Sequence, residues 1–427
     1  MALLAALRRS LSTVLLLTIG AVRSAILLIQ IGLLIMLKGR AALNPRERQE
    51  PECLQDPAFG GHDFITFEDA TLHYVSAGNQ DKPLVLLLHG FPDFWFSWKY
   101  QILDLKKDFW VVALDLRGYG RSSKPSLVID YRGPRLVEDV RGLIVSLDLQ
   151  LYVMPPPPRP RPHDELKATV LNFLGATYCR LPDFGCYVPG QRLPAEHTST
   201  PISTGNCLSV SSETNRQLPS PTELHGKKKA SIVGHDWGAV IAWWLATKYE
   251  SLVDKLVIIN GPHPLALSYQ LEHSLSQILM SWYFVTFQLP WLPEASFCAN
   301  DLQLLDTLHG AYDEQEREAF KYAFSKPGAF TGPVNYYRAS FRVQSEDPFN
   351  YRQLYVPALV LWGCQDTALT RNIAALSLQY ACSGRVEYVA DAGHWLHRER
   401  PKLVNDLIRR FLSNEKKTRS QFKDTLF

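Results

Sequence analysis

The sequence predicts an α/β fold, a mostly parallel central sheet covered by helices, with a helical domain inserted late in the chain. Three observations carry this. First, short and almost wholly apolar runs recur at residues 84–88, 110–114, 230–233, 256–259 and 358–362. Strands apolar on both faces belong in a sheet buried on both sides, which is the setting of parallel strands. Second, helical patterns separate these runs, with apolar stripes over 239–249 and 401–411. Third, residues 261–355 are aromatic and helical in pattern and hold no strand run, so they read as a cap inserted between two strands.

Composition sets the outer limits. With 46% apolar and 20% charged residues, 427 residues can fill a large core, which excludes wholesale disorder and a small disulfide scaffold. Lys and Arg number 45 against 42 Asp and Glu, so no basic field points to nucleic acid. The seven cysteines form no C-x-x-C pair, so neither a zinc site nor a disulfide framework is indicated.

The N-terminal 61 residues stand apart. Residues 11–37 are almost continuously apolar, interrupted by Arg23, Ser24 and Gln30, with Arg8 and Arg9 before and Lys38, Arg40, Arg46 and Arg48 after. About 20 apolar residues cross a bilayer as a helix, and the central Arg costs roughly 2.5–3.5 kcal/mol that the Leu, Ile and Val residues offset. We read a retained single-pass membrane anchor, with a cleaved signal peptide and an interfacial helix as alternatives. Basic residues flank both ends, so orientation is weakly encoded. The chain carries no N-x-S/T sequon, which fits a catalytic domain on the cytosolic side of the endoplasmic reticulum.

From His62 the catalytic fold begins, with residues 64–67 and 72–75 as its first strands. We assign 62–147, 227–260 and 356–414 to the sheet-bearing core, 261–355 to the cap and 415–427 to a tail. Residues 148–226 interrupt the core with four consecutive prolines from Pro155, then Pro160, Pro162 and a Ser/Thr/Pro-rich stretch. Such a segment buries too little apolar area to offset its ordering entropy and reads as mostly disordered. It leaves a helix and precedes a strand, so it emerges at the N-terminal edge of the sheet.

Gly234-His235-Asp236-Trp237-Gly238 follows one apolar run and opens a helix. It has the form of the nucleophile elbow G-x-S-x-G with Asp in place of Ser. A carboxylate at a helix N-terminus stays ionised, favoured by the helix dipole. An N-capping Asp is the bland reading of such a residue, and the strand–turn–helix context argues against it. The elbow architecture places an acid and a histidine later in the chain. Asp366 follows the run 358–362, and His394 lies in Ala392-Gly393-His394-Trp395 before the last helix. Of the twelve histidines, His394 stands out by this position; His397 reads as a helix-surface neighbour. His89-Gly90-Phe91-Pro92 follows the run 84–88, where one oxyanion donor is expected. The two donors are then the backbone N–H groups of Phe91 and Trp237.

Together with Asp115-Leu116-Arg117-Gly118-Tyr119-Gly120, these motifs resemble the epoxide hydrolases of the α/β-hydrolase fold, in particular their membrane-anchored epoxide hydrolase 3 and 4 group. The resemblance spans roughly residues 62–148 and 227–412. It implies two cap tyrosines that hydrogen-bond the epoxide oxygen, at Tyr283 and Tyr337. It implies an Asp236 nucleophile, an Asp366–His394 pair that activates water, a small-molecule epoxide as substrate, and neither metal nor organic cofactor. An aromatic cap and an anchor suit apolar or lipid epoxides. The chain departs from the family in the 148–226 insertion, in a cap shortened between Leu308 and Glu314, and in Cys364 and Ala239, where relatives often carry Glu and Gly.

Two alternatives stand beside this reading. A haloalkane or haloacid dehalogenase also uses Asp in this elbow, but needs halide-stabilising groups where this chain has a tyrosine pair. The departures leave room for a catalytically impaired, membrane-anchored interaction protein.

Overall fold

A computed structural model describes residues 2–67, 69–149, 229–309, 313–343 and 349–414. The chain opens with α1 (Ala2–Lys38), in which Ala6–Lys38 is long and apolar enough to cross a membrane. Gly20, Ser24 and Ile31 of this helix are buried against later parts of the chain.

Two strands, β1 (Gly61–Thr66) and β2 (Thr71–Ala77), pair as an antiparallel hairpin. The remaining core elements follow as β3 (Leu84–Leu88), α2 (Lys99–Leu105), β4 (Trp110–Leu114), α3 (Gly133–Leu149), β5 (Ala230–His235), α4 (Trp237–Lys248) and β6 (Val253–Ile259). The chain then leaves the sheet for α5 (Pro264–His273), α6 (Leu275–Met280), α7 (Tyr283–Thr286), α8 (Leu292–His309), α9 (Glu314–Phe324) and α10 (Thr331–Arg342), called the cap below. It returns through β7 (Ala358–Gly363), α11 (Asn372–Leu378), β8 (Gly384–Val389), α12 (Leu396–Glu399) and α13 (Pro401–Leu412).

The eight strands are ordered β1-β2-β4-β3-β5-β6-β7-β8. The β1–β2 and β2–β4 pairs are antiparallel and every other pair is parallel. Every residue of β3 and β4 is buried, as expected of strands with helices on both faces. In α13, Val404, Ile408 and Leu412 are buried at four-residue spacing, so one stripe of the helix packs on the core. The sequence analysis assigns no strand to 384–389. There Arg385 and Glu387 interrupt an edge strand that is half-buried over 385–387 and exposed at Tyr388, so a search for continuous apolar runs passes over β8.

Residues 150–228 lie outside the described residues, and with them nearly all of the predicted 148–226 insertion, Cys179, Cys186 and Cys207. The tail 415–427 and residues 310–312, within the predicted cap shortening, lie outside as well. Cys53, Cys298, Cys364 and Cys382 are free thiols.

The cap rests on the loop after β4. The Tyr336 hydroxyl donates to the Arg117 carbonyl oxygen at 2.8 Å, and the buried Arg117 guanidinium is held by Asp139 at 2.6 Å and Asp69 at 2.8 Å. The Asp115-Leu116-Arg117-Gly118-Tyr119-Gly120 motif, known from the sequence only by resemblance, therefore has a physical task. It seats the helix that carries Tyr336 and Tyr337.

Candidate active site

The site lies at the C-terminal ends of the parallel strands, where α/β sheets leave their loops free to carry function. β5 ends at His235, and Asp236 turns the chain into α4 with φ 50° and ψ −117°. A positive φ on a non-glycine residue costs on the order of 1–3 kcal/mol, and such strain gathers at functional turns. The flanking glycines permit the turn by close approach, since a Cβ on Gly234 would lie 2.5 Å from the Gly238 carbonyl oxygen and one on Gly238 2.0 Å from that of Leu88. Asp236 takes the positive φ itself, and a neighbouring loop makes room for it. A Cβ at Gly90 would lie 2.4 Å from the Asp236 Cβ, so only glycine fits there.

The predicted partners converge on this carboxylate. Phe91 N–H donates to Asp236 Oδ1 at 2.9 Å, across a turn whose Phe91–Pro92 peptide is cis. On its other oxygen, Asp236 Oδ2 lies 3.6 Å from His394 Nε2. His394 Nδ1 in turn donates to Asp366 Oδ2 at 2.8 Å. Asp236, His394 and Asp366 thus stand in one line, brought from the end of β5, the β8–α12 loop and the end of β7. Trp237 opens α4 beside them, its indole edge-on to the Tyr337 ring at 5.1 Å and 90°.

Asp366 is fixed from three sides. Ala368 and Leu369 N–H groups donate to Oδ1 at 2.7 and 2.9 Å, and the Asn260 amide donates to Oδ2 at 2.7 Å. Burial alone would raise the Asp366 pKa, but the His394 charge and these hydrogen bonds outweigh it and hold the carboxyl below its usual range. Burial likewise opposes a charged His394, yet the facing carboxylates of Asp366 and Asp236 push its pKa well above the ordinary histidine value. Asn260 is a site residue that the sequence analysis missed. It sits at the end of β6 with φ 40°, and its Oδ1 accepts from Gly363 N–H at 3.0 Å, which ties β6 to β7 beside Asp366. The signal was present as an Asn-Gly pair ending an apolar strand.

From the cap, Tyr283 opens α7 and Tyr337 lies in α10, with ring centroids 5.8 Å apart at 80°. With Asp236 they line a cavity of about 350 Å³, completed by Trp244, Leu267, Leu271, Phe284 and Phe341 among others. Burial, reinforced by the Asp236 charge, raises both phenol pKa values well above the usual range. Both therefore stay protonated and can donate a hydrogen bond. Phe91, Phe287 and Tyr337 pack edge-to-face at 4.9 to 5.5 Å, which joins the oxyanion loop to the cap. A larger cavity of about 460 Å³ is lined by His309, Trp395, Arg398 and Glu399 and by none of the predicted site residues.

One expectation is corrected. His397, read as a helix-surface neighbour, is fully buried. The short α12 turns it inward, against Trp98 and His235 at ring distances of 4.5 Å each. Asp93, His235 and His397 bring ligand atoms within 4.8 Å of one another, a grouping that could hold a metal. The two imidazoles lie with centroids 4.5 Å apart and planes tilted 49°. Asp93 Oδ2 faces His235 Nδ1 at 3.5 Å, and His235 Nε2 is 2.9 Å from the His394 carbonyl oxygen. This geometry fits a buried polar cluster bracing the His394 loop better than a metal site.

A model of the α/β hydrolase fold matches residues 83–401. Human epoxide hydrolase 4 is 32% identical over 386 residues, covering 87% of this chain and 84% of that protein. Mouse epoxide hydrolase 3 is 32% identical, covering 88% of this chain and 84% of that protein. Among solved structures, an epoxide hydrolase from Bacillus megaterium in complex with an inhibitor aligns with a TM-score of 0.58 at 26% identity, over 82% of this chain and 99% of that one.

Proposed function

The chain belongs to the epoxide hydrolases of the α/β-hydrolase family, and from that premise we propose that it adds water to an epoxide through an alkyl ester on Asp236. The enzyme is a hydrolase acting on ether bonds. The observation that carries the reading is the line Asp236–His394–Asp366 facing two protonated phenols across one cavity.

In the first step an Asp236 oxygen attacks a ring carbon, the strained C–O bond breaks, and the departing oxygen takes a proton from Tyr283 or Tyr337. A carboxylate suits this step because an sp³ carbon requires in-line displacement and the product ester can be hydrolysed. Esterification also removes one of the two anions that keep His394 protonated. The imidazolium can then pass its proton to the phenolate, which restores the phenol, and act as a base. It takes a proton from water, whose oxygen attacks Cγ of Asp236. The Phe91 N–H already reaches Asp236 Oδ1, and with the Trp237 N–H it serves the tetrahedral oxyanion, worth roughly 3–4 kcal/mol per donor. Collapse breaks the ester bond and the diol oxygen is protonated by His394. The proton of the regenerated Asp236 carboxyl returns to His394, so the resting charges are restored and the sum is epoxide plus water giving a vicinal diol.

The tyrosine pair supports ring opening over dehalogenation, because a phenol proton meets the needs of an alkoxide and not those of a halide. The aromatic and aliphatic lining supports apolar or lipid epoxides as substrates. Membrane attachment through α1 is supported by the length and apolar character of the helix, and a catalytic domain on the cytosolic side of the endoplasmic reticulum by the lack of an N-x-S/T sequon. The test is diol formation by the purified full-length chain from a panel of fatty-acid and aryl epoxides, beside haloalkanes. Diol product, lost in Asp236→Ala, supports the reading. Halide release without diol overturns it.

A further inference from the structure

Apart from the turn that follows it, α1 makes its main contacts with the cap, and they run along most of its length. Near its start, Arg9 pairs with Glu272 at 2.9 Å and the Ser12 hydroxyl donates to the Glu272 carbonyl oxygen at 3.2 Å. In its middle, a Cβ on Gly20 would lie 2.3 Å from the Val285 Cβ, and Ser24 shares a 2.9 Å hydrogen bond with Thr286. Arg23 lies over the Trp282 ring at 5.9 Å, which gives the one charge of the apolar stretch a partner. At its end, Lys38 donates to Asn300 Oδ1 at 3.2 Å. Residues 9 to 38 extend about 44 Å at helical rise, more than the roughly 30 Å of a bilayer's hydrocarbon core. A helix held this way cannot cross a membrane while the cap stays in water.

Among the described residues, nothing covers the opposite face of α1. Leu11 is 67% exposed and Met36 74%, with Val14, Leu17, Ile29 and Leu33 exposed between them. Arg8 and Arg40 stand exposed near the two ends of the helix, as suits anionic head groups, whereas Arg9 and Lys38 are paired with the cap. The apolar surface continues onto the cap helices that touch α1. In α5, Leu265 and Tyr269 point outward and are exposed, while Pro264, Leu267, Ser268 and Leu271 line the substrate cavity. Phe341 lines the same cavity and is 57% exposed, which marks the mouth. It packs on Phe284, in the same turn as the Val285 and Thr286 that receive α1.

We propose that α1 and the cap form one membrane-seated face, with α1 lying in the plane of a single leaflet and the substrate cavity opening toward the lipid. The occupant is the bilayer itself. Substrate then reaches Asp236 by lateral diffusion out of the hydrocarbon, without crossing water. This delivery route rests on the epoxide hydrolase reading, whereas the in-plane geometry does not.

Topology is tested with the full-length chain carrying an N-terminal epitope tag, in sealed phosphatidylcholine–phosphatidylserine vesicles treated with protease from outside. The expected result is flotation with the vesicles and digestion of tag and catalytic domain from the same side. A protected tag beside a digested catalytic domain means a spanning helix and overturns the proposal. Failure to float, with recovery as a dimer in solution, means that a second copy covers the face and also overturns it. Delivery is tested with Gly20→Leu, which wedges α1 off Val285. Diol formation from a long-chain epoxide dissolved in the vesicles should fall about tenfold or more, with hydration of water-soluble styrene oxide unchanged. An equal effect on both substrates, or on neither, overturns the delivery route. A wild-type protein that hydrates neither substrate contradicts the proposed function, and the tag experiment still decides the geometry.

Discussion

The sheet edge and the cap supply the two halves of the site by different means. On the sheet edge, position is set by hydrogen bonds. Asp366 accepts from two backbone amides and from Asn260, His394 donates to Asp366, and Asp236 accepts from Phe91 N–H. In the cap, Tyr283 and Tyr337 are placed by ring packing against Phe284, Phe287, Phe91 and Trp237. Hydrogen bonds fix direction and charge state, as a nucleophile and base require. Aromatic packing fixes distance while leaving a dry, adaptable wall, as proton donors to a variable substrate require. The two halves should therefore fail differently.

The largest effect belongs to the nucleophile: Asp236→Ala should lower the rate of diol formation on the order of 10⁴-fold or more. Asp366→Asn should lower it by about 10²- to 10⁴-fold, since the imidazole loses both its orientation and an anion. Its pH dependence carries the sign. Asp366 raises the His394 pKa, so its removal lowers that pKa. The acidic limb of ester hydrolysis, followed by stopped flow, should then move to lower pH even as the plateau falls. An unmoved limb would mean that Asp366 does not set the charge of His394.

The cap residues should act on the other step. Removing both phenols in Tyr283→Phe/Tyr337→Phe should slow ring opening by about 10²- to 10⁴-fold, and each single change by roughly tenfold because the partner remains. Hydrolysis of a preformed ester should be unchanged in all three. As small as the single tyrosine changes is Asn260→Ala, at about tenfold, which removes one hydrogen bond to a charged carboxylate. It should slow ester hydrolysis and leave the alkylation burst intact. A burst slowed equally with hydrolysis would break the division between sheet edge and cap.

The same division explains what could be read from the sequence. The strands 84–88 and 110–114 agree residue for residue with β3 and β4, because a strand buried on both faces leaves an unbroken apolar run. The elbow and Asp366 are legible because each follows the end of an apolar strand run, and His394 because it lies in a loop before the last helix. β8 was not, because an edge strand mixes charge with apolar residues. His397 was misplaced because nothing local distinguishes a histidine that faces Trp98 from one that faces water. The seat of α1 on the cap was also invisible. Gly20 and Ser24 look like interruptions in an apolar run until Val285 and Thr286 are brought against them across some 260 positions of sequence.

Covalent catalysis at Asp236 is tested most directly by a single turnover in heavy-oxygen water with enzyme in excess over epoxide. Mass spectrometry of the peptide bearing Asp236 should find the heavy oxygen in its carboxylate, and the first diol released should carry none. Heavy oxygen in that first diol, with an unlabelled Asp236, would mean that water attacks the epoxide directly and would contradict the ester mechanism.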